Sequence, residues 1–247
     1  MVELKIGNMR ETNYAKVMAA ADAAPEARAA FIRRTYLHLA GAIAAFATLE
    51  AWLLESAIGE QLIGLMLGAG NMGWLVVLAC FIGVSWLATS LAQSRASAGT
   101  QYMGLGLFVI AEAVIFLPMI AMATALTGDK SLIMTAGLMT LLLVTGLTAT
   151  VFITRADFSF MKNILTIGFL IALGAMVIGA FSGFSLGLWF SVAMVGLAAG
   201  SVLYTTSNIL HHYGTDDHVA ASLSLFASVA MLFWYILRIL MTFTNRD

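Results

Sequence analysis

Charge is scarce in this chain: 10% of its 247 residues are Asp, Glu, Lys or Arg, while 61% are hydrophobic. A water-soluble domain needs far more charge to cover its surface, so a soluble fold is excluded and lipid is expected to be the solvent for much of the molecule. Cysteine is nearly absent. Cys80 stands alone, so no disulfide can form within one chain, and a single thiol in an apolar stretch reads as packing. The formal net charge of -1 provides no basic surface for nucleic acid. Proline is confined to Pro25 and Pro118. Strand-type alternation is missing as well, which excludes a β-barrel.

What is present is apolar sequence in long runs, with a mean hydropathy of +0.95. Helices are expected near 35–55, 72–91, 101–126, 131–153, 159–181, 186–209 and 218–243. A hydrocarbon core of about 30 Å needs roughly 20 apolar residues at ~1.5 Å each, and each run meets that length. Connections are short, which points to one antiparallel bundle covering residues 31–247, preceded by a polar, Ala-rich tail over 1–30. The fold class is therefore an all-α, polytopic bundle of seven transmembrane helices. The tail lacks the apolar core of a signal peptide. A short interfacial helix over 12–24 is one reading of it, with Pro25 as its interruption, and a solvated tail or a partner-binding segment are the others.

Basic residues set the expected orientation. Lys5, Arg10, Lys16, Arg28, Arg33 and Arg34 precede or open the first span, and Arg95, Arg155 and Lys162 fall in loops on the same side. Only Lys130, Arg238 and Arg246 fall on the other. The asymmetry predicts a cytoplasmic N-terminus and, after seven spans, an external C-terminus. Trp52, Trp74, Trp189 and Trp234 then lie toward the outer interface, although Arg238 leaves room for a half-inserted last helix.

Catalytic constellations come up short. His211, His212 and His218 cluster beside Asp216 and Asp217 between the sixth and seventh spans, but there is no helical His pair at i and i+4 and no further ligand nearby. A solvated turn is the simpler reading, with zinc binding or pH sensing the sharper one. The last span has no lysine for a retinal Schiff base, and Ser182-Gly183 has no histidine partner inside the membrane. No catalytic, cofactor or metal residue is assigned.

Intramembrane polar groups remain. Glu112 sits mid-way along the third span, about 15–20 Å from the inner end at ~1.5 Å per residue. An ionised carboxylate there is costly, so it is expected to be protonated, paired or facing a wet cavity. Pro118, six residues on, frees a backbone carbonyl beside it. One reading is a proton- or cation-handling site, the other a neutral carboxyl bonded to a neighbouring helix. Glu50, beside Trp52, is expected to reach the outer interface. Gly196 with Gly200, and Gly41 with Ala45, read as close helix contacts.

Three segments carry a resemblance. The sixth span ends in LYTTSNILHH, the seventh reads AASLSLFASVAMLFWYILRIL, and the join of the fourth and fifth is TATVFITRADFSFMKNIL. Together they resemble the Bax inhibitor-1 family of seven-helix membrane proteins, most closely its bacterial YccA-type branch of FtsH protease modulators. Thr206, Ser207, Asn208, Ile209 and His211 match one motif of that branch. Thr154, Arg155, Asp157, Ser159 and Phe160 match the turn into the fifth span, where Asp157 or Ser159 would also cap the helix.

The resemblance covers 31–247 and implies an inner-membrane protein of the lipid bilayer that is not an enzyme. Its implied partner is a membrane-anchored AAA+ protease, and the alternative it implies is a pH-dependent calcium or proton leak. Calcium-conducting members are similar in fold but depend on two aspartates, whose positions here are Thr205 and Ser228. Hydroxyls cannot titrate near neutral pH and bind calcium poorly, so the acid gate is expected to be absent. Glu112, His211, Asp216 and Asp217 are left as candidate ion-path residues.

Overall fold

The computed structural model describes residues 19–68, 70–94, 96–183 and 186–245. Lys5, Arg10, Lys16, Arg95 and Arg246, and most of the segment 12–24, lie outside them. Among the described residues eight α-helices follow in order: α1 (Pro25–Glu55), α2 (Ala57–Gly68), α3 (Gly70–Ala92), α4 (Ala98–Thr127), α5 (Ser131–Thr154), α6 (Met161–Ser182), α7 (Leu188–His211) and α8 (His218–Thr244). All but α2 are long and apolar enough to cross a membrane. The bundle is a multi-pass membrane protein.

The first span begins ten residues earlier than hydropathy suggests. Pro25 opens α1 at its first turn, where a missing N–H costs nothing. Before it, Ala20–Asp22 forms a single 3-10 turn. Arg28 donates to the carbonyls of Ala20 (2.8 Å) and Ala21, and Ala20 N–H donates to the Tyr213 carbonyl at 2.8 Å. This turn is therefore packed against the α7–α8 connection.

The last helix is the axis of the molecule. α8 packs against α7, α1, α5, α4 and α3, and α4 and α8 are the most buried spans. Phe226 and Trp234 of α8 meet Phe46 of α1 and Phe116 of α4 in edge-on contacts, with ring centroids 4.8–6.1 Å apart. Between lipid-facing helices the hydrophobic effect gives little, so such close packing supplies much of the association. α6 stands at the periphery, held by α7 and α3.

Helix ends are set locally. Arg155 adopts φ 52 and closes α5, its N–H donating to Val151 at 2.8 Å. Gly128 at φ 72 closes α4 in the same way. At α4 the Ser97 hydroxyl accepts from Thr100 N–H, an N-cap. Pro118 lies within α4, which continues unbroken past it.

Small residues matter in places other than the expected ones. Of the Gly196–Gly200 pair only Gly200 is in contact: a Cβ there would lie 2.9 Å from Met161 Cε. Gly196 and Gly41 face open space. A tight approach between two helix backbones is found instead at Gly104, against α3.

Arg28, Arg33 and Arg34 lie in the opening turns of α1, Arg155 just past α5 and Lys162 at the start of α6, which places them at one end of the bundle, here called the basic end. At the other end Trp74 and Trp234 stack with centroids 6.4 Å apart, while Trp52 and Trp189 are exposed. Arg238 donates to the Leu186 carbonyl at 2.8 Å, and α8 runs on to Thr244, so its charge sits at the head of α7 and the helix is full length.

Candidate functional site

At the basic end a polar vestibule of about 600 Å³ opens between α3, α6, α7 and α8, lined by Gln93, Lys162, Tyr204, Asn208, His212 and Asp217. Lys162 and Tyr204 also line a second recess of about 340 Å³, whose walls include Ser201, Thr205, Ser224 and Ser228. Thr205 and Ser228, singled out by the resemblance, do meet: their hydroxyl oxygens are 3.3 Å apart.

Proton counting shows how this cluster is closed. Ser228 Oγ donates to the Ser224 carbonyl at 3.1 Å, four residues back on α8. Having used its only proton, Ser228 must accept from Thr205 Oγ1 and from Ser201 Oγ, which is 2.9 Å away. One hydroxyl thus gives one bond and takes two. Ser224 Oγ in turn donates to the Ala220 carbonyl and accepts from Tyr213 OH at 2.9 Å. Each hydroxyl has a defined role without any ionised group.

Ser201 and Ser224 were not evident from motif reading. A signal existed, since each precedes a singled-out residue by four positions and so shares its helix face. Tyr204 and Asn208 carried the same signal, standing four positions before Asn208 and His212, whereas Lys162 did not, because only the approach of α6 to α7 brings it to this wall.

The Thr206-Ser207-Asn208 run has a structural reason. Ser207 Oγ accepts from Phe158 N–H at 2.9 Å and lies 3.3 Å from the Ala156 carbonyl, to which it donates. It fastens the α5–α6 loop to α7. Thr206 is fully buried, and Asn208 faces the vestibule. In the loop, Asp157 accepts from Ser159 N–H at 2.8 Å, two residues before α6 begins, so it forms a turn rather than a helix cap. That backbone bond, with help from His212 and His211, holds its carboxyl below the ordinary aspartate range. Ser207→Ala is expected to leave Phe158 N–H unpaired and to cost about 1–3 kcal/mol, read as a lower thermal midpoint of the purified protein. An unchanged midpoint would mean that the loop is held by other contacts.

The remaining candidates are spread out. His211 ends α7 with Nδ1 donating to the Ser207 carbonyl at 2.9 Å, and it is His212 that lines the vestibule. Asp217 lines the vestibule too, its Oδ2 accepting from Gly214 N–H at 3.1 Å, whereas Asp216 is exposed outside it. Glu112 is buried in α4, makes no hydrogen bond among the described residues, and is not part of either recess. Glu50 departs from expectation. It is 4% exposed and turned inward, not toward the outer interface.

A family model described as inhibitor of apoptosis-promoting Bax1 matches residues 28–245. The chain belongs to the Bax inhibitor-1 family. The match takes in all seven spans and the hydroxyl cluster. Among relatives, the chain is 34% identical over 170 residues to the uncharacterized protein PA2604 of Pseudomonas aeruginosa, covering 66% of this chain and 72% of that one. It is 35% identical over 100 residues to the modulator of FtsH protease YccA of Escherichia coli, covering 40% of this chain and 45% of that protein. An uncharacterized protein of Neisseria meningitidis, NMA0420, is 25% identical over 181 residues, or 73% and 78% of the two chains. These likenesses support the YccA-type branch of the Bax inhibitor-1 family.

Proposed function

We propose that this protein is a non-enzymatic modulator of a membrane-anchored, ATP-dependent protease in the bacterial inner membrane, serving membrane-protein quality control. The observation that carries the reading is the closed cluster of Ser201, Thr205 and Ser228. At the positions where the resemblance puts a titratable aspartate pair, this bundle holds groups that do not change charge near neutral pH. An acid gate has nothing to act on here. The partial likeness to the modulator of FtsH protease supports the same reading.

In this reading the basic end faces the cytoplasm, following the excess of Arg and Lys there. Residues 1–18, ahead of the packed Ala20–Asp22 turn, then provide a handle on the protease side. The chain enters the bundle at the Ala20–Asp22 turn, against the α7–α8 connection and beside Tyr213, a residue of the vestibule wall. Deleting residues 1–18 spares the Arg28 and Ala20 bonds and so should leave the bundle intact. The full chain is expected to co-purify with the protease, and the shortened chain to lose at least tenfold in recovery. Failure of the full chain to recover the protease would refute the reading.

A cation or proton leak is the second reading. Two observations favour it: the polar recesses reach inward from the basic end, and Glu112 is buried without a hydrogen-bond partner among the described residues. Calcium or proton flux that disappears in Glu112→Gln would establish it. The modulator reading predicts no flux in either protein.

A further inference from the structure

α1 and α5 both pack on α8 and leave a gap between them, toward the end that carries the α4–α5 connection. The gap is a cavity of about 290 Å³. Phe46 and Leu54 of α1, Gly137 and Leu141 of α5, and Phe226 and Phe233 of α8 form much of its wall. It belongs to neither recess at the basic end, and nothing in the preceding readings uses it.

Three polar side chains interrupt the apolar lining: Glu50, Lys130 and Thr140. Two of them are accounted for. Thr140 donates to the Ala136 carbonyl at 2.7 Å, and the exposed Lys130 ammonium pairs with Glu55 at 3.8 Å. Glu50 is left over. It is 4% exposed, and both carboxylate oxygens are buried with no hydrogen-bond partner among the described residues.

A carboxyl in hydrocarbon surroundings is costly to ionise unless a cation joins it. Water is a poor remedy, because an apolar cavity with one polar group does not give a water the two to four partners that hold it. A divalent metal fits no better: calcium takes six or more oxygens, zinc about four nitrogen, sulfur or oxygen ligands, and this site offers one carboxylate. The chemistry that fits is one positive N–H donor on an apolar body. At about 30 Å³ per water-sized group, the cavity has room for roughly ten such groups. Phe46, Phe226 and Phe233 line the cavity, and an aromatic wall suits an ammonium better than an aliphatic one.

We propose that the cavity between α1 and α5 is a binding site for a lipophilic monoamine that enters from the lipid phase, its ammonium meeting the Glu50 carboxylate and its hydrocarbon body filling the space lined by Phe46, Gly137, Phe226 and Phe233. Lys130 stays with Glu55 at the rim, where its charge favours anions and so helps to distinguish the two classes of amphiphile in a test. The site stands on the geometry of the α1–α5 gap alone and is independent of the protease reading.

The test uses the full chain in lipid nanodiscs, with empty nanodiscs to subtract partition into lipid. The probes are 4-phenylbutylamine, 4-phenylbutanol and 4-phenylbutyrate, which share a body and differ in the head group. Saturable binding of the amine is expected, at least tenfold tighter than that of the alcohol, with the difference abolished in Glu50→Gln. Gly137→Leu provides the second variant. Gly137 lines the cavity and a Cβ there meets nothing within 4 Å, so the added side chain starts into open space and takes up part of the cavity, and loss of amine binding is expected. Equal binding of amine and alcohol, or amine binding that survives both variants, would overturn the proposal. Tighter binding of the butyrate, lost in Lys130→Gln, would also overturn it in favour of a fatty-acid site.

Discussion

Gly104→Ala is expected to lower the thermal stability of this protein markedly, whereas Gly106→Ala, two residues along the same helix, should leave it unchanged or raise it. Alanine is favoured over glycine in a helix interior by about 1 kcal/mol, so on propensity alone both changes would stabilise. Contact decides between them. A Cβ at position 104 would lie 2.5 Å from both the Ala88 carbonyl oxygen and the Ala92 nitrogen, and 3.0 Å from Leu91 Cβ. The first two are backbone atoms of α3, and no side-chain rotation can move them aside.

α3 and α4 would therefore have to part along their shared face, forfeiting dispersion contacts that an interface between lipid-facing helices cannot replace by hydrophobic drive. Overpacking of this kind costs about 1–3 kcal/mol, and a contact with rigid backbone belongs at the upper end. At position 106 an added Cβ meets nothing within 4 Å, so the propensity gain stands alone. Thermal unfolding of both variants in the same detergent gives the comparison. A common shift would show that α3 and α4 are not held at the approach seen here. The consequence reaches the vestibule, because Gln93, just beyond α3, lines it and moves with that helix.

This contrast also shows what the sequence could and could not convey. Hydropathy located all seven spans, because a run of some twenty apolar residues has no other common use. It missed α2, since Ala57–Gly68 is 12 residues long and falls below the spanning length. It placed the start of α1 too late, because 25–34 is polar and alanine-rich. Those residues are helical through Pro25 at the first turn and Arg28 bonded to Ala20 and Ala21, features of position rather than of mean hydropathy. Gly104 was passed over for Gly196 and Gly200, since a glycine spacing does not reveal which side of a helix meets a backbone. Glu50 was misplaced for the same reason. Helix rotation sends it inward to the α1–α5 cavity, and rotation is set by the packing of Phe46, Phe116 and Phe226, not by the local sequence. The motif residues fared better: Thr205 and Ser228 meet across α7 and α8, and Ser207 ties the loop that follows α5.

The meeting of Thr205 and Ser228 yields the second large effect. Wild-type protein in liposomes is expected to be silent in calcium flux from acid to mildly alkaline pH, and Thr205→Asp combined with Ser228→Asp is expected to conduct. With the hydroxyl oxygens 3.3 Å apart, two carboxyls in their place would be near enough that both ionise only with difficulty, and at lower pH they share a proton and hold α7 and α8 together. As pH rises the second proton leaves, the like charges repel across the helix pair, and two carboxylates face the recess that Lys162 and Tyr204 connect to the vestibule. Flux in the double variant should therefore increase with pH. Thr205→Asn with Ser228→Asn separates charge from bulk: it introduces side chains of the same size that do not titrate, and should remain silent. Conduction by the asparagine variant would assign the effect to loosened packing. Conduction by the wild type, abolished by Glu112→Gln, would instead overturn the inference drawn from the closed hydroxyl cluster and place the working acid of this bundle in α4.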